Sequence, residues 1–221
     1  MLKTANSFDL LDYLATAGNG FSERLPSLES ISKEHGVSIS VLREQLQVAR
    51  VLGLVEVRPR TGIRRLPYSF APAVRETLFY AMALDRHAFE RFADMRRHLE
   101  RAYWFEAIEK LGAEDVAKLR ELVSRAGELL KGNPIRVPHA EHRDLHLTIY
   151  RHLDNPFVLG MLEAYWDAYE EVGLSRYTGI KYLEQVWDMH AQIVDAIDGR
   201  RFEESHRLLN KHFELIDKRP E

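Results

Sequence analysis

The sequence predicts a mainly α-helical protein with two domains, and three observations support this. A helix, a tight turn, a second helix and a two-stranded ribbon follow one another in residues 25–65. From Val74 onward, apolar residues recur with the 3.6-residue period of helices. Residues 66–73 contain two prolines and little periodicity, as linkers do. We therefore expect a winged helix-turn-helix in residues 1–68, a linker in 69–73 and an all-α antiparallel bundle of six to seven helices in 74–221.

The first element is a short helix over residues 6–17, where Phe8, Leu11 and Leu14 have helical spacing. Asn6 or Ser7 can cap its start, and Gly18 to Gly20 end it. This helix is expected to pack under the helix-turn-helix.

The first helix of the helix-turn-helix follows Pro26 and ends at Gly36, whose backbone is permissive. Ser38 or Ser40 can cap the second helix, in which apolar residues recur at i, i+4 and i+7. After Gly53, the alternation of Val55 and Val57, a turn at residues 59–62 and a return strand from Ile63 predict the ribbon.

The second domain shows helical periodicity interrupted at glycine and proline junctions. The predicted helices cover about residues 73–84, 86–112, 114–131, 136–153, 156–176, 179–198 and 201–217.

Composition limits the class of protein. The chain contains 45% hydrophobic residues and no cysteine, which suits a packed protein and excludes disulfides and thiolate metal sites. We expect a cytoplasmic protein without a membrane partner, because no apolar run approaches the roughly 18 to 20 residues that span a bilayer. The net charge is −3, yet residues 41–65 contain six arginines and two glutamates, a basic patch suited to phosphate.

Four histidines have spacings that agree with one another. His142 and His146 lie at i, i+4 on one helical face, a geometry that lets two imidazoles share a metal ion. His190 and His212 lie on the two helices that flank Gly199, at heights that differ by roughly one turn. Spacing alone leaves two interpretations open: a metal site, or ordinary packed histidines.

Several short motifs are informative together. The N-terminal part contains LPS at 25–27, HGVS at 35–38, LRE at 42–44 and LGLVEVRPRTG at 52–62. The C-terminal part contains the R-x-x-L-E pattern from Arg96 to Glu100, the segment His142 to His146, and Asn155, His190 and His212. These motifs resemble the GntR family of bacterial regulators, in its FadR/VanR branch with an FCD-type C-terminal domain.

The resemblance implies a cytoplasmic, homodimeric, ligand-responsive transcription regulator that binds a pseudo-palindromic double-stranded DNA operator. In many members of this branch, an Asp and three His bind a divalent metal, and the surrounding pocket receives a small carboxylate effector. It therefore implies metal binding by His142, His146, His190 and His212, and effector binding by Arg96 and Asn155. Whether the effector releases DNA, as in a repressor, or recruits it stays open.

This chain departs from the family pattern at position 142, where His replaces the usual Asp. Four neutral imidazoles favour Zn²⁺ or Ni²⁺, or else Cu²⁺, over Mg²⁺ or Ca²⁺. Arg96 is expected to hold an effector carboxylate through a bidentate fork, or else to form an ion pair.

The predicted DNA contacts lie on the second helix and the ribbon: Ser38, Ser40, Arg43, Gln45, Gln47, Arg58, Arg60 and Arg64. Glu29, Ile39 and Val41 replace residues usual in the family, so the operator cannot be inferred from relatives. Two alternatives remain: a metal-dependent enzyme that uses the histidines, although no glutamate completes an HExxH motif, and a dimeric binding module with weakened DNA contacts.

Overall fold

The computed structural model describes residues 8–16, 24–173 and 179–217 of the chain. It forms two compact units, Met1–Glu76 and Thr77–Glu221. The predicted caps Asn6 and Ser7, and the predicted break at residues 18–20, lie outside the described residues.

The first unit contains three helices and a two-stranded antiparallel sheet. They are α1 (Leu10–Thr16), α2 (Leu28–His35), α3 (Ile39–Val51), β1 (Val55–Arg58) and β2 (Gly62–Arg65). Gly36 ends α2 at φ 67°, a left-handed conformation that glycine adopts without a steric penalty. Ser38, rather than Ser40, caps α3, because its Oγ accepts a hydrogen bond from the backbone N–H of Val41.

The ribbon pairs Val55 with Arg65 at one end and Arg58 with Gly62 at the other. A further bridge joins Arg24 to Arg64, and the Leu25 N–H donates to the Ile63 carbonyl at 2.9 Å. The sequence did not predict this extra pairing, since two residues leave no periodic signal. It ties the segment before α2 to the ribbon, and Leu25 joins the small core around Leu10 and Ala49.

The second unit is all-helical among its described residues. After α4 (Ala71–Leu84), which crosses the boundary between the units, it contains α5 (Ala88–Ala102), α6 (Trp104–Glu109), α7 (Ala113–Lys131), α8 (His139–Tyr150), α9 (Pro156–Gly173), α10 (Ile180–Asp198) and α11 (Phe202–Asp217). The predicted fold class, a winged helix-turn-helix followed by a helical bundle, is confirmed.

Two boundaries differ from the predicted ones. The predicted helix over residues 86–112 is two helices, because Tyr103 leaves the helical conformation at φ −96° and ψ 6°, and Trp104 next to it is fully buried. Residues 71–73 of the predicted linker belong to α4, whose second residue is Pro72. Proline is tolerated there because the first turn of a helix needs no N–H donors.

The core of the second unit lies between α7, α8, α10 and α11, and α5 packs against α9. Its largest fully buried side chains include Trp104, Tyr150 and Phe213. A second cluster, with Phe89, Tyr165 and Trp166, lies between α5 and α9. None of the described helices combines the length and the apolar character needed to cross a membrane.

Candidate functional site

Helix α3 has a buried side and an exposed side. Leu42 and Ala49 are fully buried, whereas Ser40, Arg43 and Gln47 lie on the exposed side. A recognition helix presents such an exposed polar side to the major groove. The structure therefore groups three of the predicted DNA contacts on one surface.

Gln45 is also predicted as a DNA contact, but its side-chain amide forms hydrogen bonds within the first unit. Its Oε1 accepts from the Leu10 N–H at 3.0 Å, and its Nε2 donates to the Phe8 carbonyl at 3.1 Å. Both bonds are to the start of α1, where backbone N–H groups lack helical partners. Gln45 therefore anchors α1 and is not available to read bases.

The two-stranded ribbon of β1 and β2, which we call the wing, presents arginines near its turn. Arg58 pairs with Glu56 at 2.9 Å, and its side chain remains 62% exposed. Arg60 has a φ of 69°, the left-handed conformation that is uncommon for residues other than glycine. Arg64 lies on β2 and is partly buried. Arg58 and Arg60 are therefore the more accessible of the three.

Glu29 on α2, which replaces a residue usual in the resembled family, interacts electrostatically with Arg43. Hydrogen bonds from its own backbone N–H and from Ser27, together with the positive charge of Arg43, lower the pKa of the Glu29 carboxyl. A negative charge consequently lies close to the main arginine of the α3 surface.

The four predicted histidines converge within the second unit. Their ligand-capable atoms all lie within 4.8 Å of one another. Helix α8 provides His142 and His146, α10 provides His190 and α11 provides His212. His142 is partly exposed and the other three are buried. We call these four residues the histidine cluster.

The imidazoles of the histidine cluster are neutral at pH 7. Burial is the main cause that lowers the pKa of all four, and the positive charge of Arg96 lowers each further. For His190 the pKa falls to about 3. Neutral imidazole is the form that binds metal ions, since its lone pair is available.

The buried nitrogens of the cluster fit a metal ion. His142 Nε2, His190 Nδ1 and both ring nitrogens of His212 have no hydrogen-bond partner among the described residues. The Nε2 atoms of His146 and His190 are 3.3 Å apart. Two ligands of a tetrahedral zinc ion with Zn–N bonds of about 2.1 Å are about 3.4 Å apart. An all-nitrogen donor set of this kind suits a borderline transition metal.

Arg96 and Glu100 form a buried ion pair beside the cluster. Arg96 Nε lies 2.7 Å from Glu100 Oε1, and Nη2 lies 3.2 Å from Oε2. The fork predicted for an effector carboxylate therefore holds Glu100 in this structure. Burial would lower the pKa of Arg96, but Glu100 together with Tyr165 and Tyr150 outweighs this and raises it, so the guanidinium stays charged.

Glu100 also contacts the cluster, because its Oε2 lies 3.0 Å from His146 Nδ1. Arg96 Nη2 lies 3.0 Å from His146 Nδ1 and 3.3 Å from Nε2, and a guanidinium can only donate. If Nδ1 carries the proton and donates it to the carboxylate, the Nε2 lone pair can accept from Arg96 or bind a metal. Sequence reasoning did not assign Glu100 to the site. Its i, i+4 spacing from Arg96 was the available signal.

A narrow cleft with a cavity volume of about 40 Å³ reaches the cluster from the surface of the second unit. Arg96 and His142 line it together with aromatic and apolar residues of α9 and α10 and of the segment before α8. The other three histidines do not line this cleft. Of the histidine cluster and its neighbouring ion pair, His142 and Arg96 are therefore the groups that a ligand in the cleft would reach.

A sequence profile described as the FCD domain matches residues 91–215, more than half of the chain. This range includes all of the histidine cluster and Arg96. The chain belongs to the FCD family. Together with the winged helix-turn-helix in the first unit, this makes the protein a GntR-family regulator with an FCD C-terminal domain, a ligand-responsive DNA-binding regulator of transcription.

Known proteins agree with this FCD assignment. A Uxu operon regulator from Haemophilus influenzae is 24% identical over 201 residues, covering 88% of this chain and 72% of the relative. The solved structure of Streptococcus agalactiae GntR has a TM-score of 0.58 at 15% identity and covers 94% of each chain. That of E. coli McbR/YncC has a TM-score of 0.51 at 18% identity, covering 85% of this chain and 82% of the other. The two structures share the fold.

Asn155, predicted to bind the effector, lies at the start of α9 in the FCD domain. Its Oδ1 accepts hydrogen bonds from the backbone N–H groups of Phe157 and Val158, at 3.1 and 3.3 Å. Its Nδ2 donates to the hydroxyl of Tyr103. Asn155 therefore caps the start of α9 and does not line the cleft.

Proposed function

We propose that this regulator binds a divalent transition metal, Zn²⁺ or Ni²⁺, through His142, His146, His190 and His212. The observation that carries the proposal is the convergence of four neutral imidazoles within 4.8 Å, with buried nitrogens that find no partner among the described residues. A buried polar atom without a partner destabilises a fold, and coordination would remove that cost.

We further propose that a small carboxylate effector binds in the cleft, next to His142 and Arg96. The four imidazoles carry no charge, and the charges of Arg96 and Glu100 cancel. A divalent ion would therefore leave two uncompensated positive charges in a buried region. When bound, the metal would act as a Lewis acid that attracts an anionic oxygen, and the effector would supply the missing negative charge.

DNA binding is assigned to the winged helix-turn-helix of a homodimer. Arg43 and Gln47, with Ser40, would face the major groove, and the wing residues Arg58, Arg60 and Arg64 would contact phosphate or the minor groove. Ser38 would act through the N-terminus of α3, whose N–H groups attract phosphate. We propose the cytoplasm as its location, because such a regulator acts where the chromosome lies.

The effector must bind the DNA-competent and DNA-incompetent arrangements with different affinities, because a ligand shifts an equilibrium only by that difference. The cluster takes side chains from three helices, so filling it changes how α8, α10 and α11 are held together. We propose this as the element that the effector biases.

Calorimetric titration of the full-length, chelator-stripped protein with Zn²⁺ and with Ni²⁺ tests the metal proposal. We expect one ion per chain and at least a 100-fold loss of affinity in His190→Gln. His98→Gln is the matched control, since His98 is 69% exposed on α5. Equal affinities for the wild type and His190→Gln would overturn the metal assignment.

A further inference from the structure

The walls of the cleft are unusual for a site that would receive a small, strongly hydrated acid. Apart from Arg96, His139 and His142, the described residues that line it are aromatic or aliphatic: Val137, Pro138, Tyr165, Tyr169, Tyr182, Leu183, Val186 and Trp187. The side chains of this described lining include no carboxylate, carboxamide, lysine or aliphatic hydroxyl, and their remaining polar groups are the three tyrosine hydroxyls.

The aromatic side chains surround the inner end of the cleft. The His142 ring lies 5.8 Å from the ring centroids of both Tyr169 and Trp187, and its plane is 87° from that of Tyr169. Tyr165 lies under the guanidinium of Arg96, at 4.6 Å. These rings already contact one another at the distances at which aromatic pairs attract, so a planar ring entering beside His142 would exchange one of these contacts for its own.

The charged groups are on one side only. Arg96 remains charged but is paired with Glu100, so the net positive charge at this end would come from the proposed ion next to His142. An anionic group is therefore favoured at this inner end, while the rest of the ligand would be surrounded by apolar and aromatic groups. Hydroxyl groups placed there would lose hydrogen bonds to water and find few partners.

We propose that the effector is an aromatic carboxylate. Its carboxylate would lie toward His142 and Arg96, and its ring would lie among Tyr169, Tyr182 and Trp187. The cavity volume in this structure is about 40 Å³, so a ring would enter by displacing aromatic side chains of the cleft wall. This inference rests on the proposed function of the cleft as the effector site.

The aromatic contacts make a specific contribution that is separate from hydrophobic burial. An aromatic pair gains a factor of roughly 2 to 10 in affinity beyond area burial. A saturated ring of the same size should therefore bind more weakly, and a polyhydroxylated acid more weakly still.

The test uses the full-length protein with Zn²⁺ added and binding measured by calorimetry. The probes are benzoate, 2-naphthoate, cyclohexanecarboxylate, gluconate and the neutral amide benzamide. We expect one of the arene carboxylates to bind at least tenfold more tightly than cyclohexanecarboxylate and gluconate, and benzamide to bind at least tenfold more weakly than benzoate.

Tyr182→Ser should weaken the binding of the better arene carboxylate by about tenfold and leave Zn²⁺ affinity unchanged. Tyr80→Ser is the matched control, since Tyr80 is 69% exposed on α4. If neither arene carboxylate binds, or if gluconate or cyclohexanecarboxylate binds as tightly, the inference is overturned. The Zn²⁺ titration without acid reports the metal proposal separately, so failure of one is distinguished from failure of the other.

Discussion

Arg96 Nε lies 2.7 Å from Glu100 Oε1, and both side chains are buried one turn apart on α5. Glu100 in turn contacts His146, so the ion pair lies directly against the histidine cluster. Within the second unit, this links the charge of Arg96 to the orientation of a proposed metal ligand.

Replacing Glu100 with Gln should strongly destabilise the protein, because it leaves the Arg96 charge buried without a counterion. The free energy of unfolding should fall by about 3–5 kcal/mol, as for other buried pairs that lose one partner. Urea denaturation of the chelator-treated protein measures this. Glu106→Gln is a matched control, since Glu106 pairs with Lys110 at the same i, i+4 spacing but is exposed. Equal, small effects of the two changes would contradict the prediction.

Acid should destabilise the metal-free protein through the histidine cluster. Each folded pKa lies below the ordinary value, to about 3 for His190, so protons bind the unfolded chain first. The contribution of these histidines to the free energy of unfolding is therefore greatest above about pH 6.5. It is lost progressively as the pH falls toward their pKa values in the folded state. Between pH 7.5 and 5.5 the loss is about 1.4 kcal/mol for each histidine that stays unprotonated when folded.

His190→Gln should make the loss of unfolding free energy between pH 7.5 and 5.5 smaller by about 1.4 kcal/mol, the contribution of one histidine. His98→Gln on the surface should leave this loss unchanged. Urea midpoints at the two pH values provide the comparison. An unchanged loss in His190→Gln would mean that this imidazole is protonated while still folded.

His142→Asp should shift the metal preference toward harder ions. A carboxylate oxygen and its negative charge favour Mn²⁺ more than an imidazole does. The ratio of Mn²⁺ to Zn²⁺ affinity should rise by about tenfold or more, measured by competition titration. The same exchange at the exposed residue His98 should not alter the ratio. If His142→Asp leaves the ratio unchanged, His142 is not a ligand.

Arg43→Ala should weaken DNA binding and its salt dependence. Loss of one phosphate contact lowers the slope of log affinity against log salt by about one, and loss of a base contact lowers affinity for the specific site alone. Gel shifts on the DNA upstream of the protein's own gene, at several salt concentrations, separate these cases. Arg207→Ala, an exposed arginine of α11, is the control. Unchanged affinity and slope in Arg43→Ala would favour the binding-module alternative.

The sequence predicted the features that depend on local periodicity or on regular spacing. The two helices of the helix-turn-helix, the ribbon, and the histidine pair at 142 and 146 are of this kind. Helical heights measured from the Gly199 turn also placed His190 and His212 within roughly one turn of each other. These inferences succeed because a helix fixes the positions of side chains three and four residues apart.

Features that depend on contacts between distant segments were missed. Gln45 looked like an exposed polar residue of a recognition helix, but its partners at Phe8 and Leu10 are 37 and 35 residues away. The break at Tyr103 has no glycine or proline to mark it, and burial of Trp104 accompanies it. Asn155 was assigned to the effector by resemblance, whereas its amide caps α9.

The histidine cluster draws on three separate helices, and His146 and His190 alone are 44 residues apart in sequence. A single ion held by these side chains would act as a cross-link, comparable to a disulfide that closes a loop of that length. The chain-entropy model assigns such a cross-link about 4 kcal/mol of stabilisation. The supply of metal in the cell would then change the stability of this regulator before any effector is present.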